Sequence, residues 1–222
     1  MPKGKRRSPQ RPPGAGRIAP APNARVSRPA RVIDPAAKRA AVLDAGERLF
    51  AAGGFAATTM ADIAAEAGVA VGTLYRFFPD KASLLAALHA RLEDRFIAAM
   101  TRGWRAAADP REAFAPMIEA LFDEAERARA AMPLYAMTRD SVSAADFTPG
   151  ARMIAAIGAL YEEGCARGAY HRHEPRIAAA IAHGMVDGAM RAWMTGSETR
   201  AAVGAALNML FVRAFATPAS GP

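Results

Sequence analysis

The chain has 222 residues, 52% of them hydrophobic and 23% charged, enough to build a sizeable core as one domain or two small ones. Its apolar runs are too short to span a bilayer, and its single cysteine, Cys165, excludes an internal disulfide and a cysteine-based metal cluster. The net charge of +8 is unevenly placed: residues 1–31 hold nine basic residues, seven prolines and no acid, which leaves −1 from Val32 onward.

That first segment reads as a disordered basic arm. Two readings of it stay open. It adds salt-dependent DNA affinity by counterion release and lays arginines in a minor groove, or it is a solvated tail. It carries no apolar segment behind its charges, so it is not expected to be a secretory signal, and a cytoplasmic protein is expected. Asp34-Pro35 then opens the first helix, with aspartate as cap and proline at the first helical position. Ala40, Leu43, Ala45, Leu49 and Phe50 give its apolar stripe, and Gly53-Gly54 stop it.

The stretch from Thr58 to Lys81 organises the chain. Thr59 and Asp62 have the spacing of a capping box. Met60, Ile63, Ala64 and Ala67 supply one apolar face, and Gly68 ends that helix where a left-handed backbone is cheapest. A second short helix runs from Val71 to Phe78, closed by Pro79, with Asp80 capping the next. This is a helix-turn-helix pattern. Leu74 and Phe78 lie four apart and can face inward. Gly72, Thr73, Tyr75 and Arg76 fall on the other sides and offer bare backbone, a hydroxyl, a phenol and a cation, which suit phosphates and base edges. Lys81 lies just inside the following helix, where free N–H groups and the helix dipole favour a phosphate. The competing reading is a surface helix in an ordinary bundle.

The run T-T-M-A-D-I-A-A-E-A-G-V, followed by G-T-L-Y-R-F-F-P-D-K-A-S-L-L, closely resembles the DNA-binding domain of TetR family transcriptional regulators, densely over roughly Lys38 to Leu88. The resemblance implies that Gly72, Thr73, Tyr75 and Lys81 touch DNA, and that the Thr59 cap also meets a phosphate. Two positions depart from the family pattern. Ala70 stands where a serine or threonine often precedes the recognition helix, and Val71 stands at a base-reading position that is frequently polar. Base reading is therefore expected to lean on Thr73, Arg76 and apolar contact with thymine methyls.

A long helix is predicted from Asp80 to about Thr101, then one from Asp109-Pro110 to about Met132, and a short one through Tyr135 to Arg139. Thr148-Pro149 opens another to about Gly168. Glu174-Pro175 starts one to about Thr195, and Ser197 caps the last, which ends before Pro218. No alternating strand pattern occurs. The expected fold is all-α with about nine helices: the arm, a three-helix DNA-binding domain over residues 32–79, and a helical ligand-binding and dimerisation domain over 80–217.

Ile177, Ile181, Gly184, Met185, Gly188 and Ala192 form one apolar face near the C-terminus; Val203, Leu207, Leu210, Phe211 and Phe215 form another. Either the faces complete one protomer's core, or they pack against a twin. The resemblance implies a homodimer built on these helices, with Ile181, Gly184, Met185, Gly188, Leu207, Leu210 and Phe211 at the interface. Between head and terminal helices lie methionines and aromatics that suit a cavity or plain core. Met117, Leu121, Tyr135 and Met153 are the expected lining, with Arg139, His183 and Asp187 as polar groups to orient a small apolar or aromatic effector.

Catalytic chemistry is not expected. His171-Arg172-His173 fits no metal-ligand spacing, Glu162-Glu163 adjoin rather than share a face, and no phosphate loop, nucleophile elbow or HExxH is present. No metal or cofactor is expected. The resemblance implies a repressor that sits on a palindromic operator in double-stranded DNA until a small molecule releases it. An activator remains open, as does a tail-driven helical dimer that binds DNA without regard to sequence.

Overall fold

The computed structural model describes residues 34–132 and 150–218, which form eight α-helices and a 3-10 turn. In order these are α1 (Pro35–Gly53), α2 (Met60–Glu66), α3 (Val71–Phe77), α4 (Lys81–Ala106), the turn Pro110–Glu112, α5 (Phe114–Arg127), α6 (Ala151–Ala166), α7 (Pro175–Met194) and α8 (Arg200–Phe215). The all-α expectation holds, and among the described residues none of these helices is long and apolar enough to cross a membrane. The basic arm, the short helix at Tyr135–Arg139 and the Thr148-Pro149 start lie outside the described residues.

Local chemistry explains most boundaries. Asp34 Oδ1 accepts from the Ala36 N–H at 3.1 Å, and Pro35 occupies the first turn of α1. At α2 the capping box is complete: the Asp62 N–H donates to Thr59 Oγ1 at 3.2 Å, and the Thr59 N–H donates back to Asp62 Oδ2 at 3.0 Å. The Thr59 hydroxyl adds a 2.6 Å bond, and these donors hold the Asp62 carboxyl below the usual carboxylate range. Gly68 sits at φ +65°, as the turn into α3 requires. Asp80 and Ser83 repeat the box at α4, and Glu174 caps α7 by accepting from the Ile177 N–H at 2.7 Å.

Four boundaries differ from the sequence reading, one of them the end of α5, which falls at Arg127 rather than about Met132. The helix expected from Asp109 is interrupted, with the turn Pro110–Glu112 first and α5 starting only at Phe114. The Pro110 carbonyl accepts from the Ala113 N–H at 3.1 Å and from the Tyr170 hydroxyl at 2.8 Å, which holds a tighter turn. Helix α4 continues past Thr101 to Ala106 because Trp104 in its last turn is buried. The last helix is capped by Thr199, whose Oγ1 accepts from the Ala202 N–H at 3.2 Å; Ser197 instead donates to Ala192 O at 2.7 Å and closes α7.

Two hydrophobic clusters result. The head cluster joins Val42, Phe50, Ile63, Leu74 and Phe78 to Leu84, Leu85 and Leu88 of α4. The body cluster begins at Leu92 of the same helix and takes in Phe96, Met100 and Trp104 with residues of α5 to α8. Each fully buried leucine contributes roughly 2 kcal/mol, so α4 is bound firmly at both ends. Arg200 fastens α8 to α5 by reaching Glu119 and Asp123 at 2.6 Å each, with its guanidinium over Phe122.

Where the clusters meet, His89 of α4 is 3% exposed, and burial depresses its pKa to about 4. The folded protein therefore refuses a proton that the unfolded chain accepts below about pH 6.5. The stability linked to this group is complete above that pH and is lost as pH falls towards 4, by up to roughly 3 kcal/mol. Urea unfolding at pH 7.5 and pH 4.5 checks this: His89→Gln is expected to lose distinctly less stability between the two than the wild type does.

Candidate DNA interface and ligand cavity

Helix α3 is seven residues long and buries only Leu74, with Phe78 just beyond its end at 2% exposed. Those two residues anchor it against α1 and α2. Its outer side is unusually apolar and open: Val71 is 42% exposed and Tyr75 48%. Gly72 and Arg76 are exposed beside them and Thr73 is half-buried, so the expected readers share one outward surface. The Thr73 and Leu74 N–H groups donate to Ala70 O at 2.8 and 3.2 Å, and no side chain caps the start of α3. That is the structural result of alanine at position 70. Thr59 stands exposed at the start of α2 with its hydroxyl committed to the capping box.

Lys81 behaves differently from the other expected contacts. Its Nζ donates to Phe55 O at 2.7 Å and Thr58 O at 2.9 Å, and it sits 4.4 Å from the centre of the Phe55 ring. The ammonium thus closes the loop between α1 and α2. Charge-assisted bonds of this kind are among the stronger ones. The partners lie 26 and 23 residues back in the chain, so no local pattern reveals them.

In the body, a cavity of about 130 Å³ opens between α4, α5, α6, α7 and α8. Met117, Leu121, Met153, His183 and Asp187 line it as expected, while Tyr135 and Arg139 lie outside the described residues. Phe96, Met100, Val186, Met190 and Phe215 also line it, and the sequence reading did not single them out as lining. Their apolar spacing is the same in core and in cavity wall.

Among the described residues two tyrosines reach the cavity, and both hydroxyls are satisfied within the protein. Tyr161 donates to His171 O at 2.5 Å and accepts from the His173 N–H at 2.8 Å. Tyr170 donates to Pro110 O and accepts from Trp104 Nε1 at 3.1 Å, and burial pushes its hydroxyl up to about 12. Among the described residues, His183 and Asp187, four apart on α7, also line the cavity with polar side chains. Asp187 also holds Arg191 at 2.8 Å.

The expected dimer residues divide. Ile181, Gly184, Gly188 and Leu210 are exposed, joined by Ile177, Met209 and Val212. Met185 is half-buried against the body cluster. Leu207 and Phe211, 4% and 1% exposed, fill the protomer's own core. Both lie on the inward side of α8, and Phe211 packs on Phe114 at 5.5 Å between ring centres.

Residues 42–88 match the family model of bacterial regulatory proteins, tetR family. Over 109 residues the chain is 38% identical to the transcriptional repressor KstR of Mycolicibacterium smegmatis, covering 48% of this chain and 52% of that one. It is 47% identical over 58 residues to KstR of Rhodococcus jostii, covering 26% of this chain and 27% of that one. The chain thus matches about half the length of these curated relatives at most. Its fold is similar to that of the SmeT–triclosan complex, with a TM-score of 0.58 and 24% identity over 84% of this chain and 95% of that one. The helix-turn-helix head over residues 42–88 thus matches the tetR family of bacterial regulatory proteins, and it is followed by a helical body whose fold is similar to that of the SmeT–triclosan complex.

Proposed function

We propose that the protein is a ligand-responsive transcriptional regulator, a homodimeric repressor that leaves a palindromic operator when a small apolar or aromatic molecule enters the body. The observation that carries this reading is the double membership of α4, whose first turns complete the head core and whose later turns wall the cavity. An occupant that moves α4 moves the surface bearing Val71, Thr73, Tyr75 and Arg76. Ligand and DNA then oppose each other through one coupling free energy, each weakening the other by the same factor. The exposed apolar faces of α7 and α8, with Gly184 and Gly188 allowing close approach, support a twin packed there. Two-fold symmetry is what a pair of recognition helices needs to read half-sites about one turn, roughly 34 Å, apart. The aromatic character proposed for the effector draws on the apolar lining and on a fold neighbour solved with triclosan.

Selection of genomic fragments by the purified protein at physiological salt, with and without residues 1–31, tests this function. A short palindrome retained by the shortened protein is expected. Recovery of unrelated fragments only when the arm is present would instead favour binding driven by its nine basic residues. On a recovered palindrome, Tyr75→Ala and Arg76→Ala are each expected to weaken binding about tenfold or more by fluorescence anisotropy, with thermal stability unchanged. Lys81 is a poor choice for that comparison, because its loss opens the α1–α2 loop.

A further inference from the structure

We propose that the buried carboxylate of Glu93 is the link through which an occupant of the cavity acts on α4. The inference deepens the ligand-switch reading and rests on it. Glu93 is 2% exposed, in the middle of α4, and its Oε1 accepts from the Met153 N–H at 3.1 Å. Met153 is the third residue of α6, and its side chain lines the cavity. One residue thus touches the occupant with its side chain and α4 with its backbone.

The neighbouring contacts are weaker by exposure. Arg152 donates to Ala90 O at 3.3 Å and pairs with Asp94, but both of its charged groups stand more than half in solvent, where such pairs yield readily. Glu93 has no such freedom. A carboxylate held out of water that loses its N–H donor keeps the full penalty of burial, and the start of α6 favours a negative charge there. When Met153 is displaced, Glu93 follows rather than letting go. The movement then enters α4 only five residues, about 7.5 Å of helix, from Leu88 in the head core. Arg91 lies on the way and holds α1 through Asp44 at 2.5 Å and through Glu47. Glu93 is therefore a positioning residue for the switch, and neither the operator nor the effector has to touch it.

The test uses the full chain, a DNA fragment recovered as above, and N-phenyl-1-naphthylamine, a neutral apolar dye that brightens in apolar surroundings. Dye titrations with and without DNA give the coupling factor directly. In the wild type a factor of about ten or more is expected. Glu93→Leu, which removes the acceptor, is expected to bind dye and DNA separately within about twofold of wild type while the factor falls to about one. Glu93→Gln keeps the shape and an accepting oxygen without the charge, and is expected to fall between; it decides the matter if the leucine variant does not fold. A merely structural role would move melting temperature and dye affinity but leave the factor intact. Wild-type coupling in the folded variant overturns the proposal. A wild type that takes up no dye, or takes it up without weakening DNA, overturns the switch reading itself and the link with it.

Discussion

A Gly103→Ala variant is expected to melt roughly 6 °C below the wild type, followed by far-UV circular dichroism. A Cβ at Gly103 would stand 2.5 Å from both Met117 Cα and Pro116 O, and 2.8 Å from Met117 N. These are backbone atoms and cannot rotate aside, so α5 itself must retreat from α4. It is poorly placed to do so: Arg95 of α4 holds Glu124 at 2.7 Å, and Arg200 holds Glu119 and Asp123. Overpacking at a fixed contact costs about 3 kcal/mol or more. The better helix propensity of alanine offsets only about 1 kcal/mol of that. Because Met117 and Leu121 face the cavity from α5, dye uptake should weaken in step with stability. A melting temperature above wild type would mean that propensity wins and that the helices are not in forced contact.

The second large effect is expected at Leu74. Truncation to alanine removes the only residue buried within α3, at 0% exposed, and should cost about 3 kcal/mol. A seven-residue helix has no stability of its own in water, so its outward surface exists only while that anchor holds. DNA affinity is expected to fall about a hundredfold or more, further than any single reader substitution takes it, since all of them lose their mounting together. The body cluster does not include Leu74, and dye uptake should persist. Retained DNA binding would show that α3 is held by something other than its inward face.

What the sequence disclosed followed from how local each signal was. Asp34, Thr59, Asp80 and Glu174 act on N–H groups two or three residues away, so their caps were legible from spacing alone. Ser197 failed as a cap because Thr199, two residues later, offers the same chemistry in the right place. Lys81 and Glu93 take partners from other segments, and no periodicity announces those. A faint signal existed for Glu93: with His89 it interrupts the apolar stripe of α4 at helical spacing, and buried polar residues in such a stripe carry a partner or a task. Leu207 and Phe211 show the opposite limit. Of the stripe read there, Val203, Leu207, Phe211 and Phe215 are buried and Leu210 is exposed; an apolar face does not say which surface covers it, and at Phe211 the protomer's own α5 does.

Helix α4 also bears on how such a protein can be rearranged. Leu84, Leu85 and Leu88 lie after the helix-turn-helix in sequence yet inside its core. An exchange of heads between two regulators that joined them at Pro79 would set one protein's α1 and α2 against another's leucines. A breakpoint beyond Leu88 keeps that core intact, but it then separates the head from Glu93 by only a few residues. Crossovers that preserve both the reader and its response are therefore confined to a window about one helical turn long.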